Sequence, residues 1–225
     1  KAAVHLSPEG AELEEAYVTW TNLLPRTNLT VGRFRQQLGA VNRWHKHALD
    51  FFDFPLMLLE PFGPEGLNQT GMSLDVLLPS LWAHEQTVTL QVTNGSNGQA
   101  FSGDFFSIPT TLLRLRSYWD LDRGTYLDLG LTGVFGFNHG EGMPPTEAAA
   151  TPLVDEARRW TAFGGADLTL AWEPPNRSHY AGLTWRTEFL YGYKQVPGDL
   201  HIAWMGGYTA LDAKIGQGWF VGARG

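Results

Sequence analysis

From Thr125 to Asn138 the chain reads TYLDLGLTGVFGFN. Leu127, Leu129, Leu131, Phe135 and Phe137 fall on odd positions, while Asp128, Thr132 and Asn138 fall on even ones. A period of two marks a β-strand, whose successive side chains point to opposite faces. The same alternation recurs in EAYVTWTNL (15–23), NLTVGRFRQQL (28–38), GMSLDVLL (71–78), TVTLQVTN (87–94) and TTLLRLRSYWDL (110–121). It returns in RRWTAFGGADLTLAWE (158–173), YAGLTWRTEFLYGYK (180–194), HIAWMGGYTALDAKI (201–215) and GWFVGAR (218–224). That makes about ten strands, several of ten residues or more, against a usual length of about five or six. The pattern predicts one all-β antiparallel domain over 1–225, with helices confined to short pieces near 146–159 and within 40–70.

The connections alternate as well. LPRT, SLWAHEQ, DRG, EPPNRSH and GQ are short, whereas the segments near 40–70, 95–109 and 139–158 are long. Short turns at one end and longer loops at the other fit an up-and-down transmembrane β-barrel. The apolar faces carry aliphatic middles and aromatic ends: Trp160 and Trp172 bracket Leu168 and Leu170. Aromatic girdles around a lipid-facing band produce that arrangement. The expectation is therefore an inversion, with the oily face outward. The polar face, bearing Arg114, Arg116, Asp128, Asp167, Arg186, Glu188, Asp212 and Lys214, is expected to line the pore.

Composition narrows the classes. Hydrophobic residues make up 43%, charged residues only 17% and aromatics 13%, with 9 Trp and 26 Gly, a mix that suits strands and turns. The absence of Cys excludes disulfides, thiolate metal sites and a cysteine nucleophile. A net charge of −7 argues against nucleic acid as a partner. No apolar run approaches the roughly 20 residues of a membrane helix. The opening KAAVHLSPEGAELEEAYV lacks the pattern of a signal peptide.

LTVGRFRQQLGAVNRWHKHALDFFDFPL, GPEGLNQTGMSLDVLLPSLW and LQVTNGSNGQAF, continued by FGGADLTLAWEPPNRSHYAGLTWRTEFLY, resemble a family of bacterial outer-membrane β-barrel proteins. The family is porin-like, akin to phosphate-selective porins, and carries the label of zinc-regulated TonB-dependent outer membrane receptor. The resemblance implies a bacterial outer-membrane location and passage of small solutes, and it assigns no catalytic residue or ligand set. Two departures stand out. WFVGARG lacks the terminal aromatic that commonly closes such barrels, and no plug domain is present, so the expectation is an incomplete barrel within a longer chain.

Three constellations are candidates for chemistry. In RWHKHALD, His45 and His47 are two apart, which on a strand places both imidazoles on one side; two histidines without a third firm ligand fall short of a closed zinc site. The second is the set of polar-face charges. Arg33, Arg35, Arg114, Arg116 and Arg186 would attract anions if unpaired and inward. The competing expectation pairs them with Asp75, Asp128, Asp167, Glu188 and Asp212 across strands. The third is the 40–70 loop, whose Trp44, His45, His47, Phe51 and Phe52 are expected to form a constriction or lid. An external loop against a neighbouring subunit of a homo-oligomer is the alternative. No GxSxG, HExxH or phosphate-cradling loop supports an enzyme, and no cofactor is implied.

The resulting expectation is a passive outer-membrane channel for small hydrophilic solutes, with outer-membrane lipid around it. A TonB-dependent type of receptor for a metal or metal chelate and a structural barrel are the alternatives. A soluble carbohydrate-binding β-sandwich is the third reading.

Overall fold

In the computed structural model, residues 2–7, 10–45, 48–51, 53–97, 99–102, 108–138, 159–198 and 200–225 are described. His47, Phe52 and residues 146–158 of the helix expected near 146–159 lie outside them, and its last residue, Arg159, begins a strand. The main sheet is antiparallel and contains β1 (Ala2–Ser7), β2 (Gly10–Leu24), β3 (Thr27–Arg35), β4 (Asn68–Leu78) and β5 (Glu85–Thr93). It continues through β8 (Thr110–Asp122), β9 (Thr125–Asn138), β10 (Arg159–Trp172), β11 (Gly182–Val196), β12 (Leu200–Gly216) and β13 (Trp219–Arg224). Within the 94–109 connection, β6 (Ser96–Asn97) and β7 (Phe101–Ser102) form a separate small hairpin. Each strand of the main sheet pairs with its neighbour along the chain, and β1 and β13 are the two edges. All ten strands expected from the alternation are present. β1 and the β6–β7 pair are too short to show a period.

Because the order is a simple meander, the long connections 36–67, 94–109 and 139–158 leave from one end. The tight turns at 25–26, 123–124 and 217–218 lie at the other. The register decides the two faces. One row runs through Trp20, Leu29, Leu74, Leu90, Leu113, Gly133, Gly164, Tyr191 and Met205 on nine consecutive strands. None of these residues is charged, and Leu113 is 55% and Met205 75% exposed. This is the outer face. The neighbouring row on the opposite face runs through Thr19, Thr30, Ser73, Gln91, Leu112, Val134, Phe163, Gly192 and Trp204.

Part of the inner face is covered by the described residues of the 36–67 segment. Its only helix among the described residues, α1 (Leu56–Phe62), follows Pro55, contains Pro61 and ends at Gly63 with φ 78°. Leu38, Val41, Phe54, Leu58, Phe62 and Leu67 are buried with Leu112, Val134, Phe163, Leu190 and Tyr208 of the sheet. The β6–β7 hairpin adds Ala100 and Phe101 to the same cluster. Phe62 lies 4.8 Å from Phe163 between ring centroids, and Phe101 5.8 Å from the same ring. The segment bridges distant strands: Gln37 N donates to Gln91 on β5 and Ala40 N to Glu188 on β11, four strand spacings away.

Candidate functional site

The strand charges do not stand free on the inner face; they cross-link it. Arg114 donates Nη1 and Nη2 to the two oxygens of Asp167 at 2.7 and 2.8 Å, and Nη1 also reaches Thr132. Arg116 pairs with Asp128 through Nε at 2.8 and 3.0 Å. Arg186 lies 3.4 Å from Asp212 and 2.6 Å from Asp50 in the loop, with its guanidinium 4.8 Å above the Trp44 ring. Lys214 donates to the Ser178 carbonyl at 3.0 Å and lies over Phe220. Of the two roles open to these arginines, cross-strand pairing is what the geometry displays. The reason is the diagonal offset between rows, which matches an arginine's length to a carboxylate one or two strands away.

Glu188 is handled differently. It is 4% exposed, and its Oε1 accepts from Ala40 N at 3.0 Å, Val41 N at 2.9 Å and the Tyr208 hydroxyl at 3.0 Å. Gly39 sits over the carboxylate with φ 61°, where a Cβ would stand 2.2 Å from Oε2. Only glycine suits both that space and that backbone. Glu188 therefore tethers the loop to the wall.

Further tethers hold the loop at β2, next to one edge of the sheet, and at the edge strand β13. His45 Nδ1 lies 2.9 Å from Glu14 and Nε2 3.1 Å from Glu15, both on β2. Both ring nitrogens are thus engaged by carboxylates, which leaves neither for a metal. Among the described residues no group of three His, Asp or Glu side chains is arranged to hold a metal ion. Asp53 meets Arg224 of β13, whose guanidinium lies 4.7 Å over Phe51. Phe51 also contacts Tyr208 edge-on. The sequence showed no sign of these partners, since Glu14, Glu15 and Arg224 lie far along the chain from the loop.

Arg33 departs from the inward placement, whereas Arg35 turns into the inner recess. Arg33 shares parity with the outer residues Leu29 and Val31 and pairs in register with Ala16 and Thr70, near the long-loop end. Arg35 is 6% exposed where the strand ends, and donates Nη1 to the Glu65 carbonyl at 2.6 Å.

The loop closes one part of the inner face and leaves another open. Over β8–β10 its apolar side chains pack against the sheet, and beside β11 and β12 a recess of about 450 Å³ remains next to α1. Over β2–β5 a polar recess of about 280 Å³ remains, lined by Tyr17, Thr19, Thr30, Gln37, Arg43 and Asp75 among others. A third recess of about 560 Å³ lies near the short-turn end, beside Asp50, Arg186, Asp212 and Lys214.

No protein-family model matches the chain, and no solved structure matches it. It is 30% identical over 107 residues to an uncharacterized protein of Aquifex aeolicus (strain VF5). The match takes in 48% of this chain and 22% of that relative, so the chain covers about a fifth of the relative's length.

Proposed function

We propose that the chain forms part of a bacterial outer-membrane β-barrel, through which small hydrophilic solutes diffuse passively past the inward-folded 36–67 segment. The observation that carries this reading is the inverted burial. Met205, Leu113, Leu131 and Phe189 are about half exposed or more, while Arg114, Asp167, Glu188 and Lys194 are buried. In water such an outer face is an aggregation hazard; in lipid it is the solvent-matched surface.

The dimensions agree with a bilayer. Trp160 and Trp172 bound the outer face of β10 and lie twelve residues apart, about 40 Å along a strand at ~3.3 Å per residue. Tilted by ~45°, that becomes about 28 Å, close to the ~25 Å apolar band of such barrels. Indole N–H groups on this face find partners within the protein: Trp82 donates to Ser117, Trp119 to the Trp82 carbonyl and Trp185 to Thr209. Edges β1 and β13 would leave backbone groups unpaired in hydrocarbon, so the proposal includes further strands that close the sheet.

The ion-pair ladder stiffens the wall and removes free positive charge from it, and the open way past the loop is the polar recess over β2–β5. The test is fractionation of the full chain together with its electrophoretic mobility before and after heating. A lipid-embedded barrel follows the outer membrane and migrates anomalously until boiled. A protein that stays dissolved without detergent would instead be a soluble β-sandwich.

A further inference from the structure

The inner face is divided chemically, and the division points to a class of solute. In the row from Thr19 to Trp204, the members on β2–β5 are Thr19, Thr30, Ser73 and Gln91, and those from β8 onward are apolar but for the Gly192 backbone. The loop covers the apolar part and leaves the polar part as the back wall of the 280 Å³ recess.

The carboxylates of this recess are already engaged. Asp75 accepts from Gln37 Nε2 at 2.9 Å and from the Thr89 hydroxyl. Glu15 is met by His45 and by the Arg35 backbone N–H at 3.3 Å. Arg35, bonded to the Glu65 carbonyl, and Arg43 bring two positive charges to a lining that also holds Asp75 and Glu15. A bare ion entering here would give up hydration without meeting a wall of opposite net charge. The Gln37 and Gln91 amides are engaged as well, with Asp75, Thr89 and Ser73. The remaining surface consists of the exposed Thr19 and Thr30 hydroxyls, 2.9 Å apart, and the Tyr17 ring. Hydroxyls both donate and accept, which complements a solute whose own groups do both, and an aromatic ring supplies an apolar face with a polar rim. The volume of about 280 Å³ falls just below the roughly 300–1,000 Å³ of small-ligand pockets, room for one ring of a sugar whose remainder extends into the opening.

Resting on the channel reading above, we infer that this recess is a subsite for neutral polyhydroxylated solutes, sugars being the simplest case, with the Tyr17 ring and the Thr19–Thr30 hydroxyl pair as its contacts. The experiment is planar-bilayer recording with the full chain in potassium chloride, with maltose added as the probe. Maltose reduces the current in a saturable way, and Tyr17→Ala and Thr30→Val each raise the half-blocking concentration about tenfold, close to the loss of one good contact. Heat-modifiable migration of each variant shows that it has folded. Current that maltose leaves untouched overturns the inference while the channel reading stands. Block by inorganic phosphate but not by maltose also overturns it, and assigns the recess to anions through Arg43. Absence of current overturns the channel reading and this inference together.

Discussion

Arg114 on β8 grips both carboxylate oxygens of Asp167 on β10 by reaching across the whole width of β9. Gly130 of β9 lies directly beneath, and a Cβ there would stand 2.3 Å from Arg114 Nη2 and from Asp167 Oδ2. The missing side chain is what lets a pair two strands apart close. Both partners are 6% exposed at their side chains, so removal of one leaves a buried charge alone. Arg114→Met is expected to destabilise the protein by about 3–5 kcal/mol, and Arg114→Met with Asp167→Leu to recover most of that loss. Gly130→Val, which wedges the pair apart without removing a charge, should cost about 1–3 kcal/mol. Urea unfolding in lipid vesicles, followed by tryptophan fluorescence, measures all three.

The outward face gives the sharpest separation between lipid and water. Leu131 is 50% exposed in the middle of β9. Surrounded by hydrocarbon, Leu131→Lys costs about 2–4 kcal/mol. On a water-facing surface the same change stays within about 0.5 kcal/mol. The unfolding midpoint decides between them, with Thr19→Lys at the recess as a polar comparison.

Phe62 is 3% exposed and wedged against Phe163. Phe62→Ala is expected to cost about 3–5 kcal/mol of packing. If the 36–67 segment sets the aperture, the variant also shows a larger and noisier unit conductance. An unchanged conductance alongside lost stability would mean that the cluster packs the inner face of the sheet without narrowing a pore.

Glu188→Ala removes the acceptor for the Ala40 and Val41 amides and for the Tyr208 hydroxyl. Each amide left buried without a partner costs about 1–3 kcal/mol. The expected signature is local: faster hydrogen exchange at Ala40 and Val41, with little change in β8–β10. Uniform acceleration through the sheet would show that Glu188 supports the whole wall and not the tether alone.

Much of the fold is legible in the chain because β-structure writes itself with a period of two. The alternation in TYLDLGLTGVFGFN assigns Leu131 and Phe135 to one face and Thr132 and Val134 to the other, and the structure exposes the first pair and buries the second. Arg33 is legible on the same ground: its parity with Leu29 and Val31 places it outward, against the attraction of reading every arginine as a lining charge. The 36–67 segment has no period to read. Its aromatic and aliphatic content implies that it is buried, without saying where.

What the sequence by itself determined is therefore the strands, their order of hairpins and the oily or wetted character of each face, because those follow from neighbours two residues apart. The tertiary structure alone decided which charges meet and what fills the inner face. Arg114 with Asp167, Glu188 with Ala40 and His45 with Glu14 are separated by 53, 148 and 31 residues. Such pairs form only when register and a glycine-sized gap bring them within hydrogen-bond reach, and no local pattern encodes that reach.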